Sequence, residues 1–483
     1  LGRMAKIEGA LGIVALLVLG CSSGGSQTPA MGDLGMPPVT PDDLGGAAAD
    51  LRQTPSDLLP APDLRPPLDP ASCPVGVSDG CCPLLRGGGS DPDCPKLDCA
   101  KLSQTAPVSL DPAGLGSGRG GSGQVAMAWT GTELALAWTY LTNDFTPVAK
   151  VLFERRNSAG DLIYGPVQRE IPAGATPATA GPTALAYEPT RKKYVFVHTA
   201  TGLRYAVMGI DPTGSVTWGS STGELCNAIW MGVDAYSTGA GWVIGQQNMT
   251  CAGSTYQPRI DQFDYDGMGQ KTWWMGDGMH PTSTLNGAFA YNPASNQLLT
   301  IYSRWSEATL GARFLDLAKG TLLAGFTMRS GTPGYPFEHL GIVFDGKRYG
   351  VLFENRPSYS SFYQSFQIYD PAMGLVGSPL QFAGPRYILS PSMLWTGDGF
   401  LVAMMTFVGP DTPIGDLNKF TSMVYSFSPD GQLRESFAVD SGPAVYPKLM
   451  WAGGRVALTW VRVPATPGGG ADTEHFLRYL SCP

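Results

Sequence analysis

Apolar positions recur along this chain in a fixed arrangement. The stretch "WTGTELALAW", residues 129–138, sets an aromatic residue before a polar turn and a strand-like apolar run after it. The same arrangement returns as "WTGDGFLVAM" from Trp395 and "WAGGRVALTW" from Trp451. Seven aromatic anchors carry it: Trp129, Tyr187, Tyr236, Tyr291, Phe344, Trp395 and Trp451. They lie 58, 49, 55, 53, 51 and 56 residues apart. Each is followed by an apolar run: "ELALAW", "KYVFVH", "GWVIGQ", "QLLTIYS", "RYGVLFE", "GFLVAMM" and "RVALTW". Short apolar runs bounded by Gly, Asn, Asp and Pro predict strands joined as hairpins.

A second hairpin follows in most units, as in "LFERRNSAGDLIYG", "AVMGIDPTGSVTWG", "IDQFDYDGMGQKTWW", "FQIYDPAMGLVG" and "VYSFSPDGQL". Glycine supplies the positive φ that such turns need, and Asp or Pro starts the bend. Four strands per unit at a period near fifty predict an all-β fold, a seven-bladed β-propeller. Tandem β-sandwiches are the alternative, and they do not repeat at this interval. The pattern is similar in outline to bacterial propellers of the "AW-x-G … L-V-x-W" type. It lacks the WD40 signature and the kelch double glycine.

The seventh unit stops after three strands, at "HFLRYLSCP". Ahead of the first unit lies "TAPVSLDP", residues 105–112, which is strand-like. It is expected to supply the missing outer strand of the last blade and close the ring. Cys99 and Cys482 then flank one turn position. A disulfide between them would lock the closure, with an upper limit of roughly 5 kcal/mol.

The N-terminal quarter is different. All 49 Phe, Trp and Tyr residues lie at or after Trp129, so no large core begins much earlier. Arg3 and Lys6 precede "ALGIVALLVLGC", a run too short for a permanent membrane span and suited to a signal peptide. It ends Val18-Leu19-Gly20-Cys21, which resembles the lipobox of bacterial lipoproteins. The resemblance implies cleavage before Cys21, lipidation of that thiol with palmitate-type acyl chains, and a lipid anchor at the outer membrane or cell surface. Residues 22–72 are rich in Pro, Gly and Asp-Leu pairs and predict a disordered tether. The expected organisation is a signal peptide (1–20), a lipidated Cys and linker (21–72), a cysteine-rich segment (73–104) and the propeller (105–483).

Eight cysteines remain after Cys21, an even number in a chain bound for an oxidising compartment. "DGCCPLLRGGGSDPDC" resembles the short cysteine-rich repeats of myxobacterial surface proteins, with one customary cysteine missing near Arg86. The pairing among Cys73, Cys81, Cys82 and Cys94 stays open. Cys226 and Cys251 fall in loops of one unit on one face and can pair.

Antiparallel order puts the first-to-second and third-to-fourth turns on one face, the turn face. The other connections share the opposite loop face. Loops of varied length there are the expected recognition surface. Those leading to the inner strands carry Glu224, His280, Tyr335, Glu338, His339, Arg386 and Tyr446; Trp305, Tyr359, Tyr363 and Asp411 lie farther out. Such a mix of polar and aromatic groups suits a glycan or a protein surface.

Charge narrows the classes. At −8 net, with no Lys/Arg blocks, the chain is a poor nucleic-acid ligand. Its four histidines, His198, His280, His339 and His475, form no zinc pattern, and no metal or cofactor is expected. Gly116–Gly121 matches G-x-G-x-x-G without a strand–helix context. Asp264-Tyr265-Asp266-Gly267 reads as a turn rather than a calcium loop, and "DPTGSVTW" only approaches a sialidase Asp-box. The sequence thus predicts a monomeric, tethered binding module, with no catalytic residue assigned. The enzyme alternative, a carbohydrate-active propeller, would use Glu224 and Glu338 with Arg386 or Tyr446. A structural envelope protein without a specific ligand is the third reading.

Overall fold

The computed structural model describes residues 101–111, 123–141, 149–170, 182–200, 204–221, 232–246, 258–269, 271–275, 284–304, 307–331, 337–358, 361–382, 389–407, 419–463 and 473–481. The predicted signal peptide, tether and cysteine-rich segment to residue 100 lie outside them, as do Cys21, Cys99, Cys226, Cys251 and Cys482.

The described chain starts with two short strands, β1 (Ser103–Gln104) and β2 (Val108–Ser109). Blade 1 follows as β3 (Ala126–Trp129), β4 (Glu133–Leu141), β5 (Ala149–Asn157) and β6 (Leu162–Glu170). Blade 2 is β7 (Thr183–Glu188), β8 (Lys193–Ala200), β9 (Arg204–Ile210) and β10 (Val216–Ser221). Blade 3 is β11 (Val233–Ser237), β12 (Trp242–Gln246), β13 (Arg259–Phe263) and β14 (Lys271–Trp274). Blade 4 holds β15 (Thr284–Asn292), β16 (Gln297–Arg304), β17 (Thr309–Asp316), β18 (Thr321–Leu322) and β19 (Phe326–Ser330). Blade 5 is β20 (Glu338–Phe344), β21 (Tyr349–Ser358), β22 (Ser361–Tyr369) and β23 (Leu375–Phe382). Blade 6 is β24 (Leu389–Trp395), β25 (Phe400–Phe407), β26 (Phe420–Phe427) and β27 (Leu433–Ala438). Blade 7 is β28 (Ala444–Trp451), β29 (Val456–Arg462) and β30 (Glu474–Ser481).

Every sheet is an antiparallel meander running outward from its first strand, so the body is the seven-bladed propeller that the repeat predicts. Blade 4 has its outer strand split, with β18 and β19 both on β17. The closure is also as predicted. Ser103 and Gln104 pair with Ser481 and Leu480, and Val108 and Ser109 with Leu477 and Phe476, so β1 and β2 form the outer edge of blade 7.

The core lies between the sheets. Seven apolar clusters fill the seven seams, and the one holding Leu136, Trp138, Leu477 and Tyr479 joins blade 7 to blade 1. Strand alternation explains the repeated motif. In "ELALAW", Leu134, Leu136 and Trp138 face blade 7, while Ala135 and Ala137 face blade 2. In "RVALTW", Val456, Leu458 and Trp460 face blade 6, and Ala457 faces blade 1. In these two blades large residues line one side of the sheet and alanines the other, and interleaving with the next blade fills the seam.

The turn face is stereotyped. Thr130, Thr238, Asp345, Thr396 and Ala452 each donate their N–H to the carbonyl three residues on, across a tight inner turn. The next residue is always a glycine at positive φ: Gly131, Gly239, Gly346, Gly397 and Gly453. The outer turns starting at Asn157, Asp211, Asp264, Asp370 and Ser428 are alike too. In each, the first residue's N–H donates to the fifth carbonyl, the fourth N–H donates back to the first carbonyl, and the first side chain accepts from the fifth N–H. Asp264-Tyr265-Asp266-Gly267 is thus an outer turn. Asp211, of the Asp-box-like stretch, is pushed up by burial, but hydrogen bonds from Thr213 and Ser215 outweigh this and hold its carboxyl low.

Candidate functional site

Loop lengths set the two faces apart. The first-to-second turns span three or four residues in every blade. The second-to-third connections on the opposite face run from two residues in blade 5 to twelve in blades 3 and 6.

The inner strands differ around the ring in a way the repeat does not announce. In blades 1 to 3, β3, β7 and β11 pair with their neighbours without a shift. In blades 4 to 7 each inner strand carries a bulge at its loop-face end. The register steps from Thr284↔Arg304 to Gly287↔Tyr302, from Glu338↔Glu354 to Gly341↔Leu352, from Leu389↔Met405 to Ser392↔Ala403, and from Val445↔Val461 to Lys448↔Thr459. The inner strand gains one residue each time. A bulge takes peptide groups out of the ladder and turns the strand end, so it re-aims side chains where the chain enters the axis.

In blade 7 the released carbonyls are already used. Gln124, just before β3, donates its amide to the carbonyls of Tyr446 and Pro447 at 3.4 and 3.5 Å. Its own Oε1 accepts from the Thr183 N–H at 3.3 Å, and its carbonyl accepts from the Thr183 hydroxyl at 2.6 Å. Lys448 sends its ammonium across the inner strand of blade 1 to the Thr183 carbonyl at 3.4 Å. Gln124, Thr183 and Lys448 are all buried, so blades 7, 1 and 2 are bound together beside the axis by a polar stitch.

Two more polar groups lie near the loop-face strand ends. In blade 3 the buried Asp261 carboxylate accepts from Arg259 at 2.8 Å and from the Thr272 hydroxyl at 2.6 Å, with the Gln246 amide as a further donor. Arg259 also stands 5.5 Å over the Trp274 ring. In blade 5 Gln364 donates to the buried Glu354 at 3.4 Å. Among the described residues no group of three His, Cys, Asp or Glu side chains is placed to hold a metal ion.

The structure places the predicted site residues unevenly. Glu224, His280, Trp305, Tyr335, Tyr359, Arg386 and Asp411 lie outside the described residues. Glu338 and His339 fall at the blade 5 bulge, and Tyr363 sits opposite Asn355 at the loop-face end of β22. Tyr446 occupies the blade 7 bulge at the position matching His339, with a φ of 54°. Its ring is buried in the seam between blades 6 and 7 with Met405, Phe420, Val461 and Val463, and burial pushes its phenol up. The sequence reading missed Gln124, Lys448 and the bulges. Pro391 and Pro447 were the available signal, since proline inside a strand pattern marks a break in the ladder. Lys448 within the apolar "AVYPKLMW" was another.

No protein-family model matches the chain, and no curated protein matches it by sequence. Among solved structures it is similar to the Dos1 propeller, at 9% identity over 79% of this chain and 96% of that one, with a TM-score of 0.45. It is similar to hydrazine synthase of Kuenenia stuttgartiensis, at 12% identity over 74% and 99%, with a TM-score of 0.46. The WD40 domain of Toxoplasma gondii coronin gives 9% identity over 83% and 89%, with a TM-score of 0.44. The fold assignment rests on the strand pairing described above.

Proposed function

We propose that this chain is a lipid-anchored surface protein whose propeller binds a protein or glycan through its loop face. The observation that supports this reading is the inequality of the two faces. One repeats the same turns from blade to blade, as a frame does. The other varies its loops and bends four of its seven inner strands. Variation confined to one face of a rigid ring is the physical mark of a recognition surface. The half-ring of blades 4 to 7 is the proposed centre. His280, Tyr335, Glu338, His339 and Arg386 belong to the entries of its inner strands, and Glu224 precedes that of blade 3.

The anchor has its own check. Cells fed a palmitate analogue should label the wild type and not Cys21→Ala. For the face, the Cys21→Ala chain is screened on a glycan array and in pull-downs of envelope proteins. The detected binding should fall at least ten-fold in a Trp305→Ala/Tyr363→Ala variant. Unchanged binding in that variant would reject the loop face as the site. Sugar cleavage by the wild type, lost in Glu338→Gln, would instead favour the enzyme alternative.

A further inference from the structure

The turn face carries a feature that a mere frame does not need. Among the described residues nine large apolar side chains are exposed. Seven belong to one narrow zone, the outer turns and the first residues of the outer strands. Leu162 and Ile163 open β6 in blade 1, and Met268 closes the outer turn of blade 3. Leu323 follows β18 in blade 4, Leu375 and Val376 open β23 in blade 5, and Leu433 opens β27 in blade 6. They are 37% to 68% exposed. The ring sets all outer turns at one height, so these residues mark out a circle along the rim rather than a single patch.

Five pairs of opposite charge lie along this rim. Arg155 meets Glu133 at 2.7 Å, Lys193 meets Asp266 at 2.7 Å, and Arg434 meets Asp398 at 2.8 Å. Lys319 and Asp316 pair at 3.0 Å, and Arg348 and Asp345 at 3.1 Å. Pairing of opposite charges reduces the field that an acidic protein presents at this rim. The chain also reaches the ring here: Ser103 pairs with Ser481 at the turn-face end of β30, and the Leu102 N–H donates to Glu435 at 2.9 Å. The described chain therefore begins at this apolar rim.

We propose that the turn-face rim is a membrane-docking surface, its ring of aliphatic side chains inserting shallowly into a lipid bilayer. Apolar contacts spread over five of seven blades suit a flat, laterally uniform surface, whereas a protein partner selects one patch. Such shallow contacts are weak singly, and an anchor at Cys21 raises the local concentration of bilayer they meet. The proposal rests on the lipid-anchor reading for its strength and turns the loop face outward, toward a ligand.

The test uses the full lipidated chain in phosphatidylethanolamine/phosphatidylglycerol vesicles whose acyl chains carry a diazirine. After photolysis and mass spectrometry, label should concentrate in peptides around Leu162, Met268, Leu323, Leu375 and Leu433, at least five-fold above peptides of the inner strands. Label confined to the N-terminal segment, or spread evenly, overturns the proposal and leaves the anchor standing. A Leu162→Asp/Ile163→Asp/Leu375→Asp/Leu433→Asp variant, whose sites are exposed and whose folding is checked by thermal melting, should lose the rim label. The Cys21→Ala chain separates the two readings. It should float weakly with the same vesicles, and adding the four rim substitutions should reduce flotation at least ten-fold. Equal flotation with and without them rejects the rim even where Cys21 proves unlipidated. A dimer in sedimentation that dissociates on rim substitution assigns the surface to a second copy of this chain and overturns the membrane proposal.

Discussion

The imidazole Nδ1 of His475 lies 2.9 Å from a carboxylate oxygen of Asp111, across 364 residues of chain. The other oxygen of Asp111 accepts the His475 backbone N–H at 2.7 Å, and the His475 carbonyl accepts from the Leu110 N–H at 2.9 Å. The ring Nε2 faces the Gly123 carbonyl at 3.2 Å. One buried histidine thus binds the N-terminal segment at three points. Asp111→Ala should cost about 2 kcal/mol, the range for a charge-assisted hydrogen bond lost from a mostly buried site. Urea unfolding measures it. Ser103→Ala, which removes an exposed 3.2 Å bond to Ser481, should cost less than about 0.5 kcal/mol.

The same seam holds a carboxyl whose titration opposes folding. Glu154 is buried, and burial raises its pKa; the Arg156 guanidinium at 2.6 Å works against this, and Asp111 adds to the rise. The folded chain therefore holds this proton more tightly than the unfolded chain. The stability it contributes is complete below the ordinary glutamate range and is lost as pH rises through the folded value. Melting temperatures of wild type and Glu154→Gln, followed from about pH 4 to about pH 8, should show the wild type falling relative to the variant.

Two glycines of the turn face separate backbone strain from crowding. Gly214 has a φ of 72°, and an added Cβ there would stand 2.5 Å from Val167 Cγ2. Gly239 has a φ of 75° and open space around the same position. Gly239→Ala should cost about 1 kcal/mol, the left-handed penalty alone. Gly214→Ala should cost about 2–4 kcal/mol, because Val167 must also move. Chemical denaturation of the pair gives both figures.

Gln124 joins three blades with one amide. Gln124→Ala removes the donor to Tyr446 and Pro447 and the acceptor for the Thr183 N–H, leaving buried groups unmet. A loss of about 2–3 kcal/mol is expected by thermal melting. Hydrogen exchange should quicken first at the start of β7, where Thr183 loses its partner.

The blades were legible because the seam imposes its pattern locally. An aromatic anchor, a glycine turn and an apolar run are all within ten residues, so Trp129, Trp395 and Trp451 declare their hairpins unaided. The closing strand was legible by a deficit, since blade 7 lacks one strand and residues 105–112 have no blade. The outer strand of blade 4 was not, because "TLLAGF" breaks between Leu322 and Phe326 and leaves no continuous run. The bulges were hidden for another reason. A register shift at His339 or Tyr446 changes no composition; it depends on where the partner strand sits. Tyr446 shows the result: next to Pro447 it reads as a loop residue, and its ring lies in a seam.

Because β2 and β30 complete one sheet from opposite ends of the described chain, a growing polypeptide emerging N-terminus first cannot finish its ring piecemeal. Segment 103–109 must wait, edge exposed, through the making of more than three hundred residues. Closure of the ring is therefore held back until β30 has been made and can meet β2.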